Sequence, residues 1–369
     1  MAKINLRRYS SIIIAVAGLL ILAGVYFLSP QGKNITDRIS LENEGGPEPI
    51  PHPLSIEALR QGEYPGSNFV IEQTLAPGSN YQRYIASYKS EGLKIYGLLT
   101  IPNGDLSTEA PGNSEGYPAI IFNHGYISPS LYRTTEKYVA YQDAFALAGY
   151  VTFKSDYRGH GNSEGIASGG YGSNDYTIDI LNAVSSMKRE GTDMALRQAQ
   201  GLTSQIINPE KFGMWGHSMG GSITLKAMVA KDDIKVGVIW AGVVGSYEDL
   251  FERWRRRTSP TPTTNPNTTR RNWRRELSEL YGEPSQNPEF WASLSATSYL
   301  GDISGPIQLH HGTADASVPL AFSVNLDRLL KDKEREVELY TYEGDDHNLS
   351  NNLSLALSRS VEFFDKYLK

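Results

Sequence analysis

The chain has 369 residues, 40% of them hydrophobic and 21% charged, with no cysteine and a formal net charge of −6. That length holds one large α/β domain or two smaller ones, and the ordinary composition excludes fibrous, collagenous and wholly disordered chains. Without cysteine there is no disulfide, thiolate metal site, cysteine nucleophile or lipid-modified N-terminal cysteine, and the negative charge argues against a nucleic-acid partner.

At the N-terminus, Lys3, Arg7 and Arg8 precede an apolar run from Ile12 to Leu28, 17 residues without a charge. This is the short end of what crosses a bilayer as a helix. Residues 1–29 read first as an uncleaved signal anchor. The rivals are a cleaved signal peptide, which would leave a secreted or periplasmic product, and a buried core helix. No clean small-x-small cleavage site follows the run. Basic residues ahead of it predict a cytoplasmic N-terminus and an extracytoplasmic remainder, with the membrane as a partner. Arg7-Arg8 hints at twin-arginine export, but its flanks match that signal poorly. Residues 30–66 are rich in Pro, Gly, Asn and Glu and read as a flexible tether.

The domain is expected over residues 67–369. Phe69–Ala76, Tyr81–Ser87 and Leu93–Ile101 are β-rich runs between turn residues, which predicts an antiparallel start to a sheet. Beyond Pro118, short apolar runs at Ala119–Asn123, Tyr150–Ser155, Phe212–Gly216, Val236–Ala241 and Ile307–His310 read as central parallel strands. Helical periodicity fills 137–148, 175–190, 219–230, 319–332 and 350–367. The alternation predicts an α/β, doubly wound, mostly parallel sheet covered on both faces. A helical insertion interrupts it at about 246–298. It carries eight arginines (253, 255, 256, 257, 270, 271, 274 and 275) around a Thr258–Thr269 tip made of Thr, Pro, Ser and Asn.

Gly216-His217-Ser218-Met219-Gly220 lies between a predicted strand and a predicted helix. The G-x-S-x-G spacing is that of a nucleophile elbow, in which a sharp turn lifts a serine hydroxyl above the sheet. A serine needs a general base oriented by a carboxylate. Of seven histidines, His347 lies in a loop between the last predicted strand and the last helix, where functional loops of an open α/β sheet sit. His217 adjoins the serine, where the turn points it elsewhere. Asp315, after the preceding strand, gives the chain order Ser, Asp, His; Asp345 and Asp346 read as turn residues. The oxyanion needs two donors. One is the Met219 backbone N–H. The other comes from the Gly125-Tyr126 loop, through either the Tyr126 N–H or its hydroxyl.

The spans Asn123–Gly125, Asp156–Ser163, Gly216–Gly220, His311–Pro319 and Gly344–His347 together resemble, in order and spacing, the catalytic domain of the prolyl oligopeptidase family over about residues 80–369. The resemblance implies an α/β-hydrolase fold and a metal-free, cofactor-free serine hydrolase with Ser218, Asp315 and His347 as its triad. It differs from the larger members in leaving no room ahead of the sheet for a β-propeller, so stand-alone esterases and acyl hydrolases are also relatives of this shape. Peptide-bond cleavage is the first expectation and ester cleavage the alternative. Asp156, Arg158 and His160 match a family-like loop and read as structural, an Asp–Arg pair bracing its neighbours.

No His-Glu-x-x-His motif, dinucleotide fingerprint or Walker lysine occurs. A non-catalytic binding module on the same fold would typically have lost a triad residue. The arginine-rich insertion reads as a solvated cap edge, an anionic-lipid contact or a recognition patch for acidic substrates. Trp254, Trp273, Phe290 and Trp291 are expected to pack it onto the core.

Overall fold

The computed structural model describes residues 50–103, 116–202, 204–254 and 273–369. Its strands are β1 (Val70–Thr74), β2 (Tyr81–Ser90), β3 (Leu93–Pro102), β4 (Tyr117–Asn123), β5 (Val151–Ser155), β6 (Ile207–His217), β7 (Val236–Trp240), β8 (Ile307–Gly312) and β9 (Val337–Tyr342). Its helices are α1 (Ile56–Gln61), α2 (Val139–Leu147), α3 (Asp175–Met187), α4 (Glu190–Gln200), α5 (Met219–Ala230), α6 (Tyr247–Glu252), α7 (Trp273–Tyr281), α8 (Pro288–Leu294), α9 (Leu320–Asp332) and α10 (Leu353–Leu368).

β1, β2 and β3 pair antiparallel in chain order. Ser90 faces Leu93 across a two-residue turn, and both turn residues, Glu91 and Gly92, take the positive φ (50° and 82°) that such a hairpin requires. The sheet runs β1-β2-β3-β5-β4-β6-β7-β8-β9 and is parallel from β5 to β9. Parallel strands are covered on both faces, which is why β5 and β7 are buried at every residue.

Successive side chains on a strand point to opposite faces. Ile120, Phe122, Trp215, Val238 and Trp240 therefore share one core with Phe145 of α2 and with Phe363 and Phe364 of α10. Ile121, Met214, Ile239 and Leu309 share the other with Ile180 of α3, Ile223 of α5 and Leu326 of α9. From β4 the chain first crosses to β5 on one side and later returns to β6 on the other. The loops leaving the carboxyl ends of β4 and β6 consequently diverge, and the crevice they open is where such sheets place a ligand.

Two differences from the sequence reading have clear causes. Of the tether predicted over 30–66, residues 30–49 lie outside the described residues, and from His52 onward the segment belongs to the unit containing the sheet. Ser55 caps α1 by accepting the Ala58 N–H, and Leu54, Ile56 and Leu59 are buried. Three apolar anchors among prolines and glycines are too few to stand out in composition, yet each reaches the core. Ile56→Ala should lower unfolding free energy by about 2–4 kcal/mol in urea titrations; a true tether residue would leave the midpoint unmoved. The second difference is α4, a polar helix that buries one apolar side chain, Leu196.

The insertion is helical where described, through α6, α7 and α8. Trp291 is buried, as is Trp254, whose Nε1–H donates to the Ser317 carbonyl (2.9 Å). The Thr258–Thr269 tip lies outside the described residues. So does the Ile12–Leu28 run; among the described residues no helix is long and apolar enough to cross a membrane.

Candidate active site

β6 ends in Gly216-His217, and the next residue, Ser218, turns the chain into α5 at φ 56°, ψ −117°. Positive φ in a residue with a side chain is costly and survives only when the surroundings over-determine it. Here the Ser218 N–H donates to the Trp240 carbonyl (3.0 Å), while the Ser218 carbonyl accepts from Gly221 and Val243 (3.0 Å each). A Cβ at Gly216 would strike the Gly220 carbonyl and Thr224, and one at Gly220 would strike the Asn123 carbonyl. The two glycines of the motif are therefore required by close backbone approach. Met219 is the first residue of α5, so its N–H has no intrahelical acceptor and points to the side where the serine sits.

Asp315 follows β8 and His347 follows β9. The His347 Nδ1–H donates to Asp315 Oδ2 at 2.7 Å. With Nδ1 protonated, Nε2 keeps its lone pair, as a base requires. Asp315 Oδ1 accepts the backbone N–H groups of Ser317 (2.7 Å) and Val318 (3.0 Å), and His311 Nε2 lies 3.2 Å from Oδ2. Burial pushes the Asp315 carboxyl up, but the bonds from His311, His347 and Val318 outweigh it and hold the group well below the usual carboxylate range. His311 is the partner the sequence did not reveal. It lies in β8 as one of two adjacent histidines whose side chains diverge: His310 turns to Tyr342 and Gln308, His311 to Asp315, Ser323 and the Val318 carbonyl.

His217, the residue before Ser218, brings its ring within 4.6 Å, centroid to centroid, of that of His347. Asp345 and Asp346 are turn residues as expected. Asp345 accepts from Asp346, Asn351 and Asn352, and Asp346 from Asn348 and Ser350, which shapes the loop carrying His347.

On the oxyanion side, Tyr126 is half exposed in the loop after β4. Gly125, a candidate for the same oxyanion site, donates its N–H to the Tyr138 hydroxyl at 3.0 Å. The buried Asp–Arg arrangement takes its carboxylate from α3. Arg158 binds Asp179 of α3 (2.7 Å) and Glu91 (2.9 Å), not Asp156, which accepts the Tyr132 (2.8 Å) and Thr134 (2.5 Å) hydroxyls instead. Sequence neighbours two apart in a turn point apart, and the true partner is a helix residue that only the fold brings near. His124 is buried between the Tyr132 and Tyr157 rings, and burial pushes its imidazole down. Like His160, it packs the loop and does not face the serine's partners. Among the described residues no group of three or more His, Asp or Glu is arranged to hold a metal ion.

A sheet of this order, with a strained serine at the β6–α5 elbow and a hydrogen-bonded Asp–His pair on the next loops, defines a serine hydrolase of the α/β-hydrolase class. The sequence model of the prolyl oligopeptidase family matches residues 138–369, more than half of the chain, and the chain belongs to that family. It is 24% identical over 272 residues to YtmA, an uncharacterized peptidase of Bacillus subtilis (strain 168), covering 72% of this chain and 86% of that protein. Among solved structures it resembles the acylaminoacyl peptidase of Pyrococcus horikoshii at a TM-score of 0.57 and 23% identity, covering 79% of this chain but 42% of that one. An esterase of Pyrococcus furiosus aligns at a TM-score of 0.52 and 16% identity, covering 81% of this chain and 100% of that one. The chain thus spans less than half of the peptidase structure it matches. At these identities the structural likenesses establish the fold alone.

Proposed function

We propose that this chain cleaves peptide bonds through an acyl-enzyme, with Ser218 as nucleophile, His347 as base and Asp315 as its orienting acid. The observation that carries the reading is the 2.7 Å bond from His347 Nδ1 to a buried, ionised Asp315 beside the elbow. His347 Nε2 takes the Ser218 proton as Oγ attacks the carbonyl carbon. The oxyanion is held by the Met219 N–H and by Tyr126. The imidazolium, stabilised by Asp315, then gives its proton to the leaving amine as the C–N bond breaks. Water repeats the sequence: His347 accepts its proton, the hydroxide oxygen bonds to the acyl carbon, and Ser218 leaves reprotonated.

Family membership and the match to YtmA over most of its length favour the amide substrate. The P. furiosus esterase, whose whole chain aligns, supports ester cleavage as the second reading. Matched aminoacyl amides, short peptides and acyl esters tested on the purified domain decide between them. Measurable amide turnover, with an amide-to-ester ratio well above that of simple esterases, is expected; turnover of esters alone would discard the peptidase reading.

The apolar run behind Lys3, Arg7 and Arg8 supports a further proposal, that residues 1–29 anchor the domain on the extracytoplasmic side of a membrane. Full-length protein should then need detergent for extraction. A soluble product trimmed at its N-terminus would mean a cleaved signal instead.

A further inference from the structure

The residue before the nucleophile is a histidine that the acyl-transfer steps do not use, and its surroundings admit only one arrangement of protons. Gly125 offers a backbone N–H, which can only donate, and the Tyr138 hydroxyl receives it at 3.0 Å. Tyr138 Oη also lies 2.7 Å from His217 Nδ1, and His217 Nε2 lies 2.9 Å from the His347 backbone carbonyl, which can only accept. With one end of the chain a fixed donor and the other a fixed acceptor, the directions follow. The Tyr138 O–H donates to Nδ1, and His217 carries its single proton on Nε2 and donates it to the His347 carbonyl.

Three elements that must meet in the reaction are thereby joined. Gly125 belongs to the oxyanion loop after β4, His217 to the elbow beside Ser218, and His347 to the loop after β9. The linkage is built tightly. Tyr138 is held at φ 64° at the start of α2, in the left-handed region that a residue with a side chain seldom takes. A Cβ on Gly125 would come within 2.7 Å of Tyr138 Oη, 3.1 Å of Ser218 Cβ and 3.2 Å of His217 Nδ1, so only glycine leaves room. His217 is buried, and both that burial and His347 beside it push its pKa down to about 3. A protonated ring would also turn Nδ1 into a donor and take away the acceptor of the half-buried Tyr138 hydroxyl.

We infer that His217 and Tyr138 are positioning residues, a neutral, single-tautomer relay that sets the distance between the oxyanion loop, the nucleophile and the catalytic histidine. The inference rests on the serine-hydrolase reading above. A relay of this kind acts on geometry in the transition state, and misplacement by about 1 Å costs on the order of 100-fold in rate.

The test compares Tyr138→Phe, His217→Asn and His217→Gln with wild type in p-nitrophenyl acetate hydrolysis, with thermal melting as the check on folding. Asn places an acceptor near Nδ1 but cannot reach the His347 carbonyl; the longer Gln amide places a donor near Nε2. Tyr138→Phe and His217→Asn should lower kcat by about 10- to 100-fold with KM nearly unchanged. His217→Gln should recover most of the loss. Wild-type kcat in Tyr138→Phe and His217→Asn, a loss carried by KM, or a His217→Gln no better than His217→Asn would overturn the relay. Nitrogen NMR of histidine-labelled wild-type protein gives a readout that needs neither turnover nor variants. Nδ1 of His217 should be unprotonated and Nε2 protonated; the reverse tautomer overturns the proposal even if every variant unfolds. Failure of the hydrolase reading looks different, because wild type would then neither turn over ester nor react with a fluorophosphonate, whatever the tautomer.

Discussion

Ser218→Ala should lose covalent labelling by a fluorophosphonate and on the order of 10⁶-fold in kcat, while its melting temperature stays that of wild type. The size of the effect follows from the division of labour at the elbow. The hydroxyl supplies the bond-forming atom, so no remaining group can form an acyl-enzyme. The Met219 N–H and the Asp315–His347 bond survive the substitution, and the residual rate comes from binding and oxyanion stabilisation alone. The fold should tolerate the change, because alanine meets the same strain at φ 56° as serine and the backbone bonds to Trp240, Gly221 and Val243 are untouched. Labelling that persists in the variant, mapped to another residue by mass spectrometry, would remove Ser218 from the mechanism.

Asp315→Asn should cost about 10⁴-fold in kcat with little change in KM. The asparagine oxygen inherits the Ser317 and Val318 N–H groups that now hold Oδ1, which turns its NH₂ toward His347 Nδ1. Nδ1 must then accept, the proton moves to Nε2, and the base is lost. The same NH₂ faces His311 Nε2, whose proton the Val318 carbonyl still accepts, so the tautomer change is confined to His347. A pH signature accompanies the kinetics. The folded-state pKa of Asp315 lies below its unfolded value of about 3.9, so its contribution to stability is complete above that pH and is lost as pH falls through the folded value. The gap in urea midpoint between wild type and variant should accordingly be full at neutral pH and shrink below about pH 4. A kcat within tenfold of wild type, or a gap that does not shrink in acid, would contradict the role given to Asp315.

Some of this was legible because it is local. Strand and helix patterns follow from periods of two and 3.6, and the continuous apolar run of β7 fits a strand covered on both sides. Gly216, Ser218 and Gly220 announce the elbow because a sharp turn has few chemical solutions, and the clashes a Cβ would make at both glycines are the physical form of that motif. Asp315 and His347 were found by their place after consecutive strands. The sheet brings such loops to one edge whatever the residues between them.

What failed was partnership between segments distant in the chain. Gly125 carries an N–H in the right loop, and nothing in its neighbourhood reveals that Tyr138, 13 residues on, has already taken it. Arg158 finds its carboxylate in Asp179 on α3, 21 residues along the chain, and nothing local picks that residue out. His311 and His217 read as histidines at a strand end and beside a serine, and their roles appear only when β8 and the loops after β8 and β9 are set side by side. Residues 54–59 gave no periodic signal because three anchors in a short segment create none, yet all three are buried.

The sequence by itself determined the class of sheet, the serine at the elbow and the residues proposed to serve it, because backbone geometry and pattern act over a few positions and need no partner. Only the tertiary structure decided which donors remain free, which carboxylate answers Arg158 and which proton His217 carries. Each of those is a hydrogen bond between groups far apart in the chain, and a bond made to one partner is no longer available to another.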